Sequence, residues 1–195
     1  MKKIGITGGI GSGKTFVCHI LEKLSYPVFY SDQEAKKLMN ENIDLINKIK
    51  QLLGNESYLN GIIDKSFIAH KIFEKPTLRN KLNAIVHPEV YLAFENWCKS
   101  QTSKLVFNES ALLFETKSYK RFDKTVLISA DICLKIERIK KRDLLDEIEI
   151  KHRMNSQLSD EIKLKLSDFV IENNEDKLLL PQLIHFINQL ETNKL

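Results

Sequence analysis

Gly8-Gly9-Ile10-Gly11-Ser12-Gly13-Lys14-Thr15 is the stretch that decides the fold of this chain. It fits the pattern G-x-x-x-x-G-K-[ST]. Residues 3–7 before it form a short apolar run that predicts a buried strand, and residues 16–24 after it carry apolar side chains at helical spacing. A strand, a glycine-rich loop and a helix in this order predict a phosphate-binding loop, or P-loop. The alternative interpretation is a glycine-rich turn followed by an incidental Lys-Thr pair.

The residue types of this loop suit a nucleotide. Glycine lets the backbone turn sharply, so that several N–H groups point inward, and the following helix adds the positive end of its dipole. Lys14 is predicted to reach the β- and γ-phosphates, and the Thr15 hydroxyl is predicted to bind Mg²⁺. The predicted nucleotide contacts are Gly9, Ile10, Gly11, Ser12, Gly13, Lys14, Thr15 and Phe16.

The composition is that of a globular protein. Of 195 residues, 43% are hydrophobic, and the formal net charge of +4 is modest, so nothing in the charge demands a nucleic-acid partner. Cysteines occur far apart and form no metal or disulfide pattern, and we expect Cys18 and Cys133 to pack as small apolar side chains. No apolar run approaches the roughly 20 residues that span a bilayer. We therefore expect a cytoplasmic protein that binds neither membrane nor nucleic acid.

Short runs rich in Val, Ile, Leu and Phe are typical of strands covered on both faces. They alternate with helical segments, which predicts parallel strands with right-handed crossovers. The predicted strands are residues 3–7, 27–30, 104–108, 125–129 and 169–172. The sequence therefore predicts an α/β protein, a three-layer α/β/α P-loop NTPase fold with a five-stranded parallel sheet.

The interval between the second and third predicted strands is too long for one crossover helix. Apolar stripes, together with Gly and Pro residues that interrupt helices, first predict a helix over 43–53 ended by Gly54 and a turn at Asn60-Gly61. They then predict three further helices. One stops near Pro76, the next stops at His87-Pro88, and the last starts near Pro88. We expect residues 32–100 to form an inserted helical subdomain that holds the second substrate. The predicted nucleotide-binding core is then 1–31, 101–137 and 159–195, and it ends in a packing helix over 181–190.

A basic stretch follows the fourth predicted strand. Its Lys and Arg side chains are Arg138, Lys140, Lys141, Arg142, Lys151 and Arg153. From composition alone, such a run is a solvated helical face. Because P-loop kinases of small molecules place an arginine-bearing lid at this point, residues 138–158 are predicted to form a lid.

Two carboxylates, Asp32 and Glu109, follow predicted strands at the sheet edge where α/β proteins bind ligands. Ser31 and Glu34 have the spacing of a capping box, which predicts a helix that begins here with Asp32 in its first turn. Asp32 is placed either to accept the proton of a substrate hydroxyl or to support the helix dipole. Glu109 is placed to contact Mg²⁺ through water, to hold substrate, or simply to end a strand. Glu115 is placed to pair with a lid arginine.

The motifs together resemble the dephospho-CoA kinase family. The stretch from Ile6 to Thr15 is similar to the start of that family, and His87-Pro88 matches its His-Pro pair. Residues 109–115 resemble the family's Asp-x-Pro-Leu-Leu-Phe-Glu, with Glu109 in place of Asp and Ala111 in place of Pro. The later matches are Glu137-Arg138, Lys141-Arg142-Asp143, Arg153 with Gln157, Lys163, and residues 167–173. Their order and spacing make the resemblance specific, and it covers nearly the whole chain.

This resemblance implies transfer of the γ-phosphoryl group of ATP, with Mg²⁺, to the ribose 3′-hydroxyl of dephospho-CoA, the last step of coenzyme A synthesis. It implies that Asp32 is the general base and that Lys14 stabilises the transferring group. Arg138 and Arg142 would close over the nucleotide and its phosphates, and Asn173 would lie near the adenine.

The resemblance also implies that His87, Glu109 and Leu113 contact the substrate. From the residues alone, a histidine before proline at a helix end is more often a cap or a packing residue. The chain departs from the family at Tyr30-Ser31, which stand where the family has Asp-Ala before the retained Asp32. This departure changes one substrate contact and leaves the implied base in place.

Two rival functions share the P-loop. One is a kinase of nucleosides or nucleoside monophosphates, and the other is a P-loop switch or regulatory ATPase. The chain lacks an N-K-x-D motif for guanine and a strongly basic docking surface, which argues against the switch. We expect a monomer or a weak homo-oligomer, with the helix over 181–190 either closing the sheet or meeting another subunit.

Overall fold

The computed structural model describes residues 1–192, except for the side chains of residues 73, 74 and 76. The chain divides into two compact units. The first unit consists of Met1–Phe29 together with the chain from Thr102 onward, and the second is Tyr30–Gln101.

The strands form a five-stranded sheet and a separate two-stranded hairpin, which lies in the second unit. In chain order they are β1 (Lys2–Thr7), β2 (Val28–Tyr30), β3 (Tyr58–Leu59), β4 (Ile62–Ile63), β5 (Leu105–Glu109), β6 (Lys124–Ser129) and β7 (Phe169–Glu172). The five predicted strands are β1, β2, β5, β6 and β7, and each is confirmed with bounds that differ by at most one residue.

The main sheet has the spatial order β2-β5-β1-β6-β7 among the described residues, and its strands are parallel. Ile6 of β1 lies opposite Glu109 of β5 on one side and Val126 of β6 on the other. In this order, the chain passes from β1 to β2 toward one edge of the sheet, and from β5 to β6 toward the opposite edge. The border between β1 and β5 is therefore the switch point, where open α/β sheets bind ligands at the carboxyl ends of the strands.

Burial explains why the central strands are apolar throughout. Every residue of β5 is buried, and so are residues 4–7 of β1. Consecutive side chains of a strand point to opposite faces, so both faces of the sheet are covered, as the prediction of an α/β/α fold requires.

The described helices pack against the sheet or build the second unit. They are α1 (Lys14–Lys23), α2 (Ser31–Glu41), α3 (Ile43–Leu53), α4 (Lys65–Glu74), α5 (Pro76–Lys99), α6 (Ile132–Asp143), α7 (Glu147–Asn155), α8 (Asp160–Leu166) and α9 (Leu179–Glu191). In α9 the buried side chains Leu183, Phe186, Ile187 and Leu190 recur at helical spacing, and Phe186 stacks on Phe169 of β7 with ring centroids 4.8 Å apart. The predicted C-terminal packing helix thus closes the edge of the sheet.

A hairpin of β3 and β4 interrupts the helices of the second unit. Asn60 and Gly61 have φ of 50° and 82°, which is the backbone of a type I′ turn, so the predicted Asn-Gly turn is confirmed. Tyr58 Oη donates to the Met39 carbonyl at 2.6 Å, and the Ile63 N–H donates to Asn40 Oδ1 at 2.9 Å. The hairpin is therefore fixed to the end of α2.

The predicted helix break at His87-Pro88 is wrong, because α5 runs without interruption from Pro76 to Lys99. A proline inside a helix removes one main-chain hydrogen bond and costs about 3 kcal/mol. Buried apolar side chains recur every four residues through this point: Leu82, Val86, Val90, Phe94 and Cys98. Each buried side chain of this kind contributes about 1.5–3 kcal/mol, so the stripe outweighs the local cost.

Two further predictions are corrected. The helix α2 begins at Ser31 with Tyr30 in the N-cap position, so Ser31 is not the cap that the capping-box spacing predicted, although Asp32 does lie in the first turn. Cys133 is exposed on α6 rather than packed. Cys18 is buried as predicted, and burial raises the pKa of its thiol, so it packs as a neutral group.

None of the helices within residues 1–192 combines the length and the apolar character that crossing a bilayer requires.

Candidate active site

The loop between β1 and α1 has the backbone that a phosphate cradle needs. Gly11 and Gly13 have φ of 81° and 90°, in the left-handed region that favours glycine. A Cβ placed on Gly11 would lie only 2.6 Å from the Lys135 carbonyl oxygen, so no side chain fits there. Ser12 Oγ is buried and has no hydrogen-bond partner among the described residues. A polar cradle of this kind suits an anion with several oxygens.

Lys14 curls back over this loop. Its ammonium group donates to the Gly8 carbonyl at 3.0 Å and lies 4.0 Å from Glu109 Oε1. The side chains of Lys14 and Glu109 are 11% and 9% exposed. Because β1 and β5 are neighbours, the sheet brings these two predicted residues together at the switch point.

Asn173, which directly follows β7, also reaches the loop. Its side-chain Nδ2 donates to the Ser12 carbonyl at 2.8 Å. Its own carbonyl accepts a hydrogen bond from Arg138 Nη2 at 2.9 Å. Arg138 Nη1 is buried and finds no hydrogen-bond partner within residues 1–192. Arg138 and Asn173, which the sequence singled out at the two ends of the late motifs, are thus linked: Arg138 bonds Asn173, and Asn173 bonds the loop.

Arg142 is engaged elsewhere. Its Nε and Nη2 donate to the two carboxylate oxygens of Asp143 at 2.7 and 2.9 Å, and its side chain is 63% exposed. These hydrogen bonds raise the pKa of Arg142 and lower the pKa of Asp143. Among the residues that the structure describes, Arg138 is the predicted lid arginine that a chain of hydrogen bonds joins to the loop.

Three side chains that the residues alone did not indicate flank the start of the loop. Gln157 Oε1 accepts a hydrogen bond from the Ile10 N–H at 2.9 Å. Lys135, only 3% exposed, forms an ion pair with Asp160 beside Gly9. Gln157 appeared only as part of a family pattern. Nothing in the sequence indicated that Lys135 and Asp160 lie beside the loop, because isolated charged residues on helices are usually exposed to solvent.

Glu115 pairs with a lysine, not with the lid arginine that the sequence suggested. Its Oε1 lies 3.1 Å from the ammonium of Lys163, whose side chain is fully buried. The separation is that of an ion pair, although the two groups are not aligned as a hydrogen bond. The same oxygen accepts the Leu158 N–H at 2.9 Å, which fixes the chain just before α8.

Replacing Glu115 with alanine is expected to lower the free energy of unfolding by about 3–5 kcal/mol, because Lys163 would keep a buried charge without a counter-charge. Chemical denaturation at neutral pH measures the effect. Glu161→Ala, an exposed carboxylate on the same helix as Lys163, is the matched control and should change little. The double variant Glu115→Gln, Lys163→Met should be more stable than Glu115→Ala. A single variant as stable as the control would contradict the assignment.

The structure places the remaining predicted residues as follows. Asp32 is exposed in the first turn of α2, and His87 is half-buried in the middle of α5, so it is not the helix-end residue that the Pro88 break predicted. Leu113, which the resemblance implies as a substrate contact, has a side chain that is 1% exposed and packs beside Gly5. Phe16 is 59% exposed on α1.

Thr15, in the first turn of α1, is exposed and offers a hydroxyl next to the loop. Within residues 1–192, no group of three or more His, Cys, Asp or Glu is arranged to hold a metal ion on its own. Mg²⁺ prefers few protein ligands and completes its shell with water and phosphate oxygens. A hydroxyl beside a phosphate cradle fits this ion.

A parallel sheet with its switch point between β1 and β5, a phosphate-binding loop after β1 and a lysine above that loop define a P-loop protein that binds nucleotide phosphates. Comparison with known families narrows the class. The family model of dephospho-CoA kinase matches residues 2–178. A dephospho-CoA kinase of Bacteroides fragilis is 37% identical over 186 residues, which cover 95% of this chain and 91% of that one. The chain belongs to the dephospho-CoA kinase family, whose members phosphorylate dephospho-CoA with ATP in coenzyme A synthesis.

Solved structures agree with this fold. A crystal structure of a Thermus thermophilus protein matches with a TM-score of 0.85 and 31% identity, and the match covers 98% of this chain and 97% of that chain. The dephospho-CoA kinase of Campylobacter jejuni matches with a TM-score of 0.70 and 24% identity over 99% of this chain and 98% of that one, which supports the fold alone.

Proposed function

We propose that this chain transfers the γ-phosphoryl group of ATP to the ribose 3′-hydroxyl of dephospho-CoA and releases coenzyme A and ADP. The observation that carries the proposal is the position of the Lys14 ammonium, 3.0 Å from the Gly8 carbonyl at the switch point of the sheet. Family membership supports the choice of substrate.

The loop and Lys14 perform the electrostatic part of the reaction. Phosphoryl transfer spreads negative charge over the oxygens of the transferred group, and catalysis consists mainly of alignment and charge neutralisation. The loop N–H groups bind the phosphates, while Lys14 moves from its contact with Gly8 to the β- and γ-phosphates. The Thr15 hydroxyl would hold Mg²⁺, which would supply further positive charge there. Arg138 and Arg142 approach the nucleotide from the basic segment.

Asp32 performs the acid–base part. The ribose oxygen forms the new bond to phosphorus, the bond between phosphorus and the β–γ bridging oxygen breaks, and ADP carries away that electron pair. The proton of the 3′-hydroxyl passes to the Asp32 carboxylate, which is exposed in the first turn of α2. Residues 32–100, with His87 on α5, hold dephospho-CoA, and Glu109 orients it at the sheet edge.

We also propose that the protein works in the cytoplasm as a monomer or a weak homo-oligomer, without nucleic acid. The mixed charge and the wide separation of Cys18, Cys98 and Cys133 along the chain support this.

An acceptor panel with γ-labelled ATP tests the proposed function. Label should appear on dephospho-CoA and should not appear on nucleosides or nucleoside monophosphates. Label on a nucleoside, with none on dephospho-CoA, would favour the rival kinase. ATP hydrolysis that does not depend on any acceptor would favour a switch ATPase.

Closure of residues 138–158 is expected when ATP and dephospho-CoA bind together, because Arg142 must exchange Asp143 for the phosphates. Limited proteolysis with trypsin, which cleaves after Lys and Arg, measures it: cleavage within this segment should slow when both ligands are present. Cleavage after Lys120, which is exposed just before β6 and lies outside both this segment and residues 32–100, is the internal control and should not follow the same pattern. Equal cleavage of the segment with and without ligands would count against closure.

A further inference from the structure

Asn173 contacts the phosphate-binding loop directly, in a way that an adenine contact does not require. Its main-chain N–H donates to the Ser129 carbonyl at the end of β6 at 2.7 Å. Its carbonyl accepts from Arg138 Nη2 at 2.9 Å. Because both main-chain groups of Asn173 are fixed, its side chain is held in place where Nδ2 donates to the Ser12 carbonyl at 2.8 Å.

This contact controls the direction of a loop amide. The peptide that joins Ser12 to Gly13 is planar and trans, so its C=O and N–H groups point in opposite directions. A donor that holds the Ser12 carbonyl on one side therefore holds the Gly13 N–H toward the other. Gly13 is the N-cap of α1 with φ 90°. Glycine adopts this conformation without strain, and for the same reason its backbone can easily rotate out of it. A Cβ on Gly13 would collide with Asn173 Nδ2, so the two residues are in close contact.

We propose that Asn173 is a positioning residue of the phosphate-binding loop. It locks the Ser12–Gly13 peptide in the orientation that binds a polyphosphate chain, and Arg138 in turn fixes Asn173. The inference rests on one part of the proposed function, namely that the loop binds a triphosphate. It does not depend on which alcohol receives the phosphoryl group.

Ligands that separate the phosphates from the base test this assignment. Inorganic tripolyphosphate carries the phosphate chain without adenine, and adenosine carries the base without phosphates. In Asn173→Ala, affinity for tripolyphosphate and for ATP should fall by a similar factor of about 5–10, which is what the loss of one hydrogen bond gives. Affinity for adenosine, measured by competition with ATP, should not change. Calorimetric titration of the full chain provides the tripolyphosphate and ATP affinities.

Asn174→Ala is the matched control. Asn174 is the next residue and of the same type, but its side chain bonds Asp131 at the start of α6 rather than the loop. Its substitution should leave tripolyphosphate binding unchanged. If Asn173→Ala fails to fold, as judged by circular dichroism, Asn173→Asp keeps the size of the side chain and removes the donor, and it should weaken tripolyphosphate binding at least as much.

The outcomes are distinct. Unchanged tripolyphosphate affinity in folded Asn173→Ala or Asn173→Asp overturns the inference, and so does loss of adenosine affinity with tripolyphosphate binding retained, which would make Asn173 an adenine contact. Neither result touches the proposed function. Conversely, a wild-type chain that binds tripolyphosphate but does not phosphorylate dephospho-CoA refutes the proposed function and leaves the inference standing.

Discussion

Asp32→Asn is expected to lower kcat by about 10²- to 10⁴-fold while KM for ATP and for dephospho-CoA changes little, since a general base contributes that factor to the chemical step. The amide has the shape of the carboxylate but cannot accept the proton of the ribose hydroxyl. Steady-state kinetics with each substrate varied in turn measures both constants.

Asp44→Asn is the matched control for this experiment. Asp44 is also an exposed aspartate in the first turn of a helix, α3. If Asp32 only supported its helix dipole, both substitutions would cost a few tenths to about 1 kcal/mol of stability and neither would change kcat. An unchanged kcat with a raised KM for dephospho-CoA would instead make Asp32 a binding residue.

Lys14→Ala is expected to lower turnover by at least about 10²-fold, which corresponds to roughly 2.7 kcal/mol of the barrier. The variant removes the positive charge that lies over the loop and leaves the Glu109 carboxylate, 4.0 Å from the lost ammonium, beside the phosphates. Initial rates at saturating substrates provide the measurement.

Lys23→Ala, at the far end of the same helix α1, is the control and should keep wild-type turnover. A folded Lys14→Ala variant that retains more than half of wild-type turnover would refute the role of Lys14.

The sheet could be predicted because its signals are local. Each strand is a short apolar run of its own, and the P-loop pattern identifies β1 and α1 together, so the α/β fold followed from composition and spacing. The error at Pro88 has the opposite cause. The proline signal is local, but the stripe from Leu82 to Cys98 stabilises α5 by tertiary burial, which no short window of sequence contains. The prediction that Cys133 packs inside was wrong for a similar reason, because apolar neighbours in sequence do not determine which face of α6 is buried.

The site was predicted as a set of residues, not as a set of contacts. The carboxyl edge of a parallel sheet gathers Lys14 and Glu109, and topology alone made that meeting predictable. The bond from Asn173 to Ser12 joins positions 161 residues apart, and Glu115 finds Lys163 rather than an arginine. Such partners depend on how distant parts of the chain pack together, as α8 does against β6. The residue types of the late motifs therefore predicted candidate residues, and only the folded chain shows which of them pair, as Arg138 and Asn173 do with the loop.

Phosphorylation of dephospho-CoA at the ribose 3′-oxygen is the central claim, and the product of one reaction tests it most directly. The wild-type chain would be incubated with dephospho-CoA, ATP and Mg²⁺, and the product would be analysed by mass before and after periodate treatment. Periodate cleaves the free 2′,3′-diol of dephospho-CoA but not a ribose that carries a 3′-phosphate. We predict a product heavier by one phosphoryl group whose ribose C2′–C3′ bond periodate leaves intact. A product that periodate still cleaves, or no acceptor phosphorylation at all, would contradict the account.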